Sequence, residues 1–243
     1  MKVVGYQPAD IVGEPDNASA LIVEASLDAA SSGAKIVCFP ECFLQGYEVD
    51  GAFAERFAIS LDSALLTRLA ESLAHVDITV VTGFIERASD TFYNSAAVLA
   101  GGNVAGVYRK ANLLTGESRV FAPGCESPTF EAHGVKFGIN ICNDLNFTEC
   151  AANVASSGAE LLVCPCNNML KEATAEKWKH RHNEIRATRC RESGLWLLSS
   201  DVTGARGDRI SFGPTAVISP EGQVVAQAPV NAPGYVTYEI PVG

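Results

Sequence analysis

Runs of consecutive apolar residues alternate along this chain with stretches whose apolar residues recur at helical spacing, which predicts strands alternating with helices. MKVVGYQ (1–7) reads as a strand, NASALIVEASLDAASSG (17–33) as a helix ended by Gly33, and AKIVCFPE (34–41) as a buried strand stopping at Pro40. Glu41 therefore falls at a strand's C-terminal mouth. DSALLTRLAESLAHVD (62–77) places Leu at helical spacing behind Asp62 as N-cap and leads into the strand ITVVTGFIER (78–87). YNSAAVLAGGNVAGVYRK (93–110) has two apolar arms around Gly101-Gly102-Asn103, a hairpin pattern that delivers Lys110 at its end.

A second round follows. VKFGINIC (135–142) is a strand, and CAANVASSGA (150–159) is a helix whose first turn lies just beyond Cys142. AELLVCPCNN (159–168), one charged helix TAEKWKHRHNEIRATRCRESG (174–194) and LWLLSSDV (195–202) repeat the strand-helix-strand order. PTAVISPEGQVVAQAP (214–229) is a hairpin about Pro220-Glu221-Gly222, and GYVTYEIP (234–241) is a last strand. The order predicts a layered α/β fold with an internal pseudo-repeat. With no linker or composition shift, residues 1–243 read as one domain, and 47% hydrophobic content in 243 residues supplies a core.

A net charge of -10 disfavours nucleic acid as a partner, and no cationic cluster offsets it: Arg186, Arg189 and Arg191 sit among Glu184 and Glu192. The N-terminal residues do not read as a signal peptide, and no stretch reaches the ~18 apolar residues of a membrane span. A cytoplasmic protein without membrane attachment is expected. Eight cysteines then read as reduced thiols, mostly buried. Cys164 and Cys166 share one face of a strand, but zinc takes about four ligands and no second pair follows, so no metal is expected.

Among these thiols, Cys142 is singled out by its strand-to-helix corner, where helix-terminal N–H groups favour negative charge. The histidines offer no obvious base: His75 and His133 are solitary, and His180 and His182 face different sides of a helix. A carboxylate whose pKa is raised by burial can serve instead, and Glu41 is the candidate. From spacing alone, ordinary readings compete: a solvated Glu, an edge Lys and a core Cys.

The segments IVCFPECFLQGY (36–47), GVYRKANLL (106–114), GESRVFAPG (116–124), KFGINICNDLNFTE (136–149) and SFGPTAVISPEGQVVA (211–226) together resemble the nitrilase superfamily of carbon-nitrogen hydrolases. They span nearly the whole chain in the family's order, with 69 residues from Glu41 to Lys110 and 32 from Lys110 to Cys142. The resemblance implies a four-layer α-β-β-α sandwich, usually paired through a helix after the Cys strand, hence a homodimer or higher homo-oligomer. It implies Glu41 as general base, Lys110 as oxyanion stabiliser, Cys142 as nucleophile, and Glu117 as a second glutamate orienting Lys110. The backbone N–H of Asn143 would complete the oxyanion site, and neither metal nor organic cofactor is implied. Phe43, Tyr47, Asn167 and Asn168 are candidate pocket residues, while Arg109 should point away from Lys110.

The chain departs from the family where many relatives carry an aromatic residue after the nucleophile and an Arg nearby; here stand Asn143, Asn146 and Thr148, while Asp144, Phe147 and Glu149 match. It also ends at Gly243, without the C-terminal tail many relatives use in subunit contacts. The expected activity is hydrolysis of a small amide or N-carbamoyl compound through a Cys thioester, giving acid plus ammonia or amine. Nitrile hydrolysis, acyl transfer to another acceptor and a non-catalytic binding role on the same scaffold remain alternatives.

Overall fold

Alternate residues of the central strands face different apolar layers, and this alternation builds the molecule. The computed structural model describes residues 1–241. The end of the chain at Gly243 lies outside the described residues.

The first half runs β1 (Lys2–Gln7), α1 (Pro15–Ser31), β2 (Ile36–Cys38), α2 (Gly51–Phe57), α3 (Ala64–Ser72), β3 (Thr79–Ala88), β4 (Thr91–Ala100) and β5 (Asn103–Arg109). The second runs β6 (Thr129–Ala132), β7 (Val135–Ile139), α4 (Thr148–Ser156), β8 (Leu161–Pro165), β9 (Leu170–Lys171), α5 (Glu172–Trp178) and α6 (Arg181–Ser193). β10 (Trp196–Ser200), β11 (Thr203–Arg206), β12 (Arg209–Phe212), β13 (Ala216–Ile218), β14 (Val224–Gln227) and β15 (Gly234–Glu239) complete it. Two six-stranded sheets result, β15-β1-β2-β3-β4-β5 and β14-β13-β10-β8-β7-β6. Each has three parallel strands at its centre and antiparallel strands outside, the pseudo-repeat expected from the sequence.

In β2, Ile36 and Cys38 face the other sheet while Val37 faces the helices; in β8, Leu161 and Val163 face inward while Leu162 and Cys164 face outward. Ala18, Ile22, Ala25 and Ala29 of α1 cover the first sheet, and Ala151, Val154, Ala187 and Cys190 of α4 and α6 cover the second. The order of layers is therefore α-β-β-α. Close approach is bought with missing side chains: a Cβ on Gly5 would lie 2.5 Å from Ser199 O across the sheets, and one on Gly138 2.5 Å from Val154 Cγ1 of α4.

Three local expectations are corrected. Ser63, not Asp62, caps α3, its hydroxyl accepting from Leu66 N at 3.4 Å, because Asp62 instead takes the Ser60 hydroxyl. α4 begins at Thr148, two residues before the expected start at Cys150, and an unforeseen 3-10 turn, Cys142–Asn146, leads into it from the nucleophile candidate. The long charged helix breaks at 179–180 into α5 and α6, letting Trp178 and His182 stack with ring centroids 5.6 Å apart. A small sheet, β11-β12-β9, and the short α2 were not foreseen.

Candidate active site

The C-terminal ends of β2, β5, β7 and β8 converge, and each delivers one polar group. After β2 the chain turns sharply, with Cys42 at φ 50°, against Gly83 of β3. A Cβ on Gly83 would lie 2.6 Å from Glu41 Cα, so only glycine lets this turn seat. Glu41, carried by the first sheet, is tied to the second just beyond β8: its N–H donates to Cys166 O at 3.1 Å, and its Oε2 accepts from Asn167 N at 2.9 Å.

Lys110, one residue beyond β5, sends its Nζ to Glu41 Oε1 at 2.7 Å and Glu117 Oε1 at 2.8 Å. All three side chains are buried. Asn94 of β4 spans the same two oxygens, its Nδ2 donating to Glu41 at 2.7 Å and Glu117 at 3.0 Å. Glu117 is held further by the Tyr47 hydroxyl at 3.0 Å and by Leu114 N, which donates to Oε2 at 2.7 Å. One ammonium is thus shared by two carboxylates whose remaining lone pairs are largely satisfied, the condition under which buried charge is tolerated.

Cys142 follows β7 at φ 44°, a left-handed conformation that few non-glycine residues adopt and that is retained only where surrounding structure fixes it. Asp144 supplies that fixation. Its buried carboxylate accepts from Ile141 N at 2.9 Å, Asn112 N at 2.7 Å and the Tyr108 hydroxyl at 2.8 Å. Asn143 stands in the first turn of the 3-10 helix, where backbone N–H groups lack an intrahelical acceptor.

The charge states follow from these surroundings. Burial pushes the Glu41 carboxyl above its usual range, opposed by the Lys110 ammonium and reinforced by Glu117. Burial works against the Lys110 charge, but Glu41, Cys142 and Glu117 outweigh it and keep the ammonium protonated. Contact with the Cys166 thiol, then burial, then the Glu41 charge hold the Cys142 thiol well above its ordinary value. The resting group is therefore a thiol, since these effects outweigh the helix-terminal stabilisation of a thiolate expected from the sequence.

The other candidates separate. Asn168 places Oδ1 3.9 Å from Cys142 Sγ, and its backbone N–H donates to Asp201 at 3.0 Å. Asn167 acts through its backbone on Glu41. Tyr47 touches Glu117 rather than the cleft. Phe43 is buried in the helix-side core and stacks on Phe39 at 6.1 Å, because the turn after Glu41 directs it inward. Arg109 pairs with Glu86 at 2.5 Å over the Tyr93 ring, on the side away from Lys110. His182 does border the cleft with Cys142, but burial, then Arg186, lowers its pKa to about 3.

No site role was read from the sequence for Asn94, Asp144, Cys166 or the buried ion pair Arg186–Asp201 at 3.4 Å. Asn94 had a legible signal: an amide in the middle of an apolar hairpin arm needs a buried partner.

Two sheets with helices outside and a Cys, a Lys and two Glu side chains gathered at their strand ends define the frame in which the comparisons fall. Residues 3–243 match the carbon-nitrogen hydrolase family, and the chain belongs to it. It is accordingly an enzyme, a carbon-nitrogen hydrolase. It is 30% identical to an (R)-stereoselective amidase from Pseudomonas sp. over 79% of this chain and 68% of that protein. It is 29% identical to a human omega-amidase over 83% of this chain and 75% of that protein. Among solved structures, a nitrilase-superfamily amidase from Nesterenkonia superposes with a TM-score of 0.86 at 23% identity, covering 99% of this chain and 90% of that one. Another structure of that amidase records the acetamide moiety of fluoroacetamide added covalently to its active-site cysteine. Among the described residues no helix is long and apolar enough to cross a membrane.

Proposed function

We propose that this protein hydrolyses a small-molecule amide through a thioester on Cys142. The observation that carries the reading is the buried Lys110 ammonium shared by Glu41 and Glu117 beside the thiol. Glu41, ionised but with a raised proton affinity, takes the thiol proton as Sγ attacks the carbonyl carbon. The carbonyl π pair moves to oxygen, and the oxyanion is held by Lys110 Nζ and the Asn143 backbone N–H. Collapse breaks the C–N bond, and protonated Glu41 gives its proton to the departing amine. Water, deprotonated by Glu41, then attacks the thioester; the thiolate leaves and recovers its proton, so amide plus water yields acid plus ammonia or amine.

Glu117 has a different part. Bonded to Lys110, Asn94, Tyr47 and Leu114 N, it fixes the ammonium and gives up no obvious lone pair to a substrate. The similarity to amidases from Pseudomonas sp. and human supports an amide as substrate. Ammonia release from a panel of linear carboxamides, omega-amides and N-carbamoyl compounds tests the proposal. Turnover should be present in the wild type and absent in a folded Cys142→Ala variant; equal turnover in both would refute it.

A further inference from the structure

Beside Cys142 lies a cleft of about 270 Å³, at the small end of ligand pockets. Leu170, Trp178 and Ile185 give it apolar walls, and its guanidinium and amide groups are turned to partners in the protein. Arg186 is the one Lys or Arg among its lining residues. Its Nη1 donates to Asn183 Oδ1 at 2.9 Å and Pro214 O at 2.7 Å; its Nη2 donates to Cys166 Sγ at 3.1 Å and Asp201 Oδ2 at 3.4 Å. Asp201 is fully buried, so the guanidinium charge is cancelled inside the wall.

The amides repeat this pattern. Asn168 Nδ2 is committed to the same Asp201 carboxylate, which turns its acceptor Oδ1 toward the thiol. A carboxylate only accepts, so this orientation is forced. Asn143 Nδ2 donates to Asn112 O at 3.0 Å, and Asn146 Nδ2 to Asn143 Oδ1 at 2.8 Å. His182, stacked on Trp178, is uncharged at neutral pH.

We propose that this cleft is an acyl subsite for uncharged, mainly apolar acyl groups, and that it disfavours amides carrying a second carboxylate because its one guanidinium is paired with Asp201 and its amide groups are turned to partners within the wall. The inference rests on the amide-hydrolase reading above and narrows it. A carboxylate entering the cleft would lose water and find no uncompensated positive charge in the wall, and would meet the Asn168 carbonyl oxygen. An alkyl or aryl group would gain by burial against Trp178, Leu170 and Ile185.

Butyramide and succinamate test this, since they differ by a terminal methyl against a terminal carboxylate. Ammonia release should favour butyramide in kcat/KM by about 100-fold or more. Ligand-observed NMR on Cys142→Ala protein should show butyramide binding in preference to succinamate, a readout independent of chemistry. Leu170→Lys, which adds an uncompensated ammonium to the wall, should narrow the preference at least about tenfold. Preferential binding of butyramide without turnover in the wild type would leave the subsite standing and sink the hydrolase reading. Equal or better binding or turnover of succinamate, no preference in either readout, or an unchanged ratio in Leu170→Lys would overturn the subsite.

Discussion

Replacing Lys110 by Met removes the one cation that two buried carboxylates share while keeping much of the side chain's volume. Nζ lies 2.7 Å from Glu41 and 2.8 Å from Glu117, and the Lys110 side chain is 0% exposed, so solvent cannot take its place. Deleting one partner of a buried ion pair costs about 3–5 kcal/mol, and here two acceptors lose the same donor. The loss should depend on pH. Lys110 opposes the burial-raised pKa of Glu41, so without it that folded-state pKa climbs further above its unfolded value of about 4.3. The folded state then binds more protons than the unfolded state, so stability falls as pH rises from that unfolded value through the raised folded one. Urea denaturation of wild type and Lys110→Met between pH 5 and 8 measures this, and amide turnover of the variant should drop by about 100-fold or more. A stability deficit that is absent at pH 8, or equally large at every pH, would refute the assignment of Lys110 as the balancing charge.

Glu41→Gln should keep the fold and lower kcat by about 100- to 10,000-fold. In the wild type, kcat/KM should fall as pH drops through the raised Glu41 pKa, because the protonated carboxyl cannot accept the thiol proton; an acid limb at or below the ordinary carboxylate value would contradict this. Asn94→Ala withdraws a donor from both glutamates and should cost about 1–3 kcal/mol by denaturation, with kcat reduced more than KM is raised. Gly83→Ala pushes a methyl group into the turn carrying Glu41 and should cost about 1–3 kcal/mol together with most of the turnover; a variant with native activity would show that the turn tolerates displacement.

What could be read in the sequence depended on whether neighbours along the chain decide it. The alternation in IVCF and LLVCPC set the strands and their two faces, and the hairpin around Gly101 carried Lys110 to a strand end as expected. The family motifs singled out Glu41, Lys110, Cys142 and Glu117, which the fold brings to one place. Hydrogen bonds between distant segments were not legible. Nothing local to Asn94 points to residues 53 positions before it and 23 after it, and nothing near Asp201 announces its partner Arg186. The break between α5 and α6 also lacked a local sign, since neither proline nor glycine marks it. Phe43 misled because residues after a catalytic strand usually line a site, whereas the sharp turn at Cys42 sends this ring into the core.

A thioester on Cys142 would accumulate long enough to be trapped. Rapid-quench intact-protein mass spectrometry during turnover of a small amide, followed by peptide mapping, locates the acyl group. The expected result is a substrate-dependent mass increase equal to the acyl group, located on Cys142, discharged by hydroxylamine and absent from Cys142→Ala. An acyl adduct on another residue, or undiminished turnover by Cys142→Ala, would contradict it.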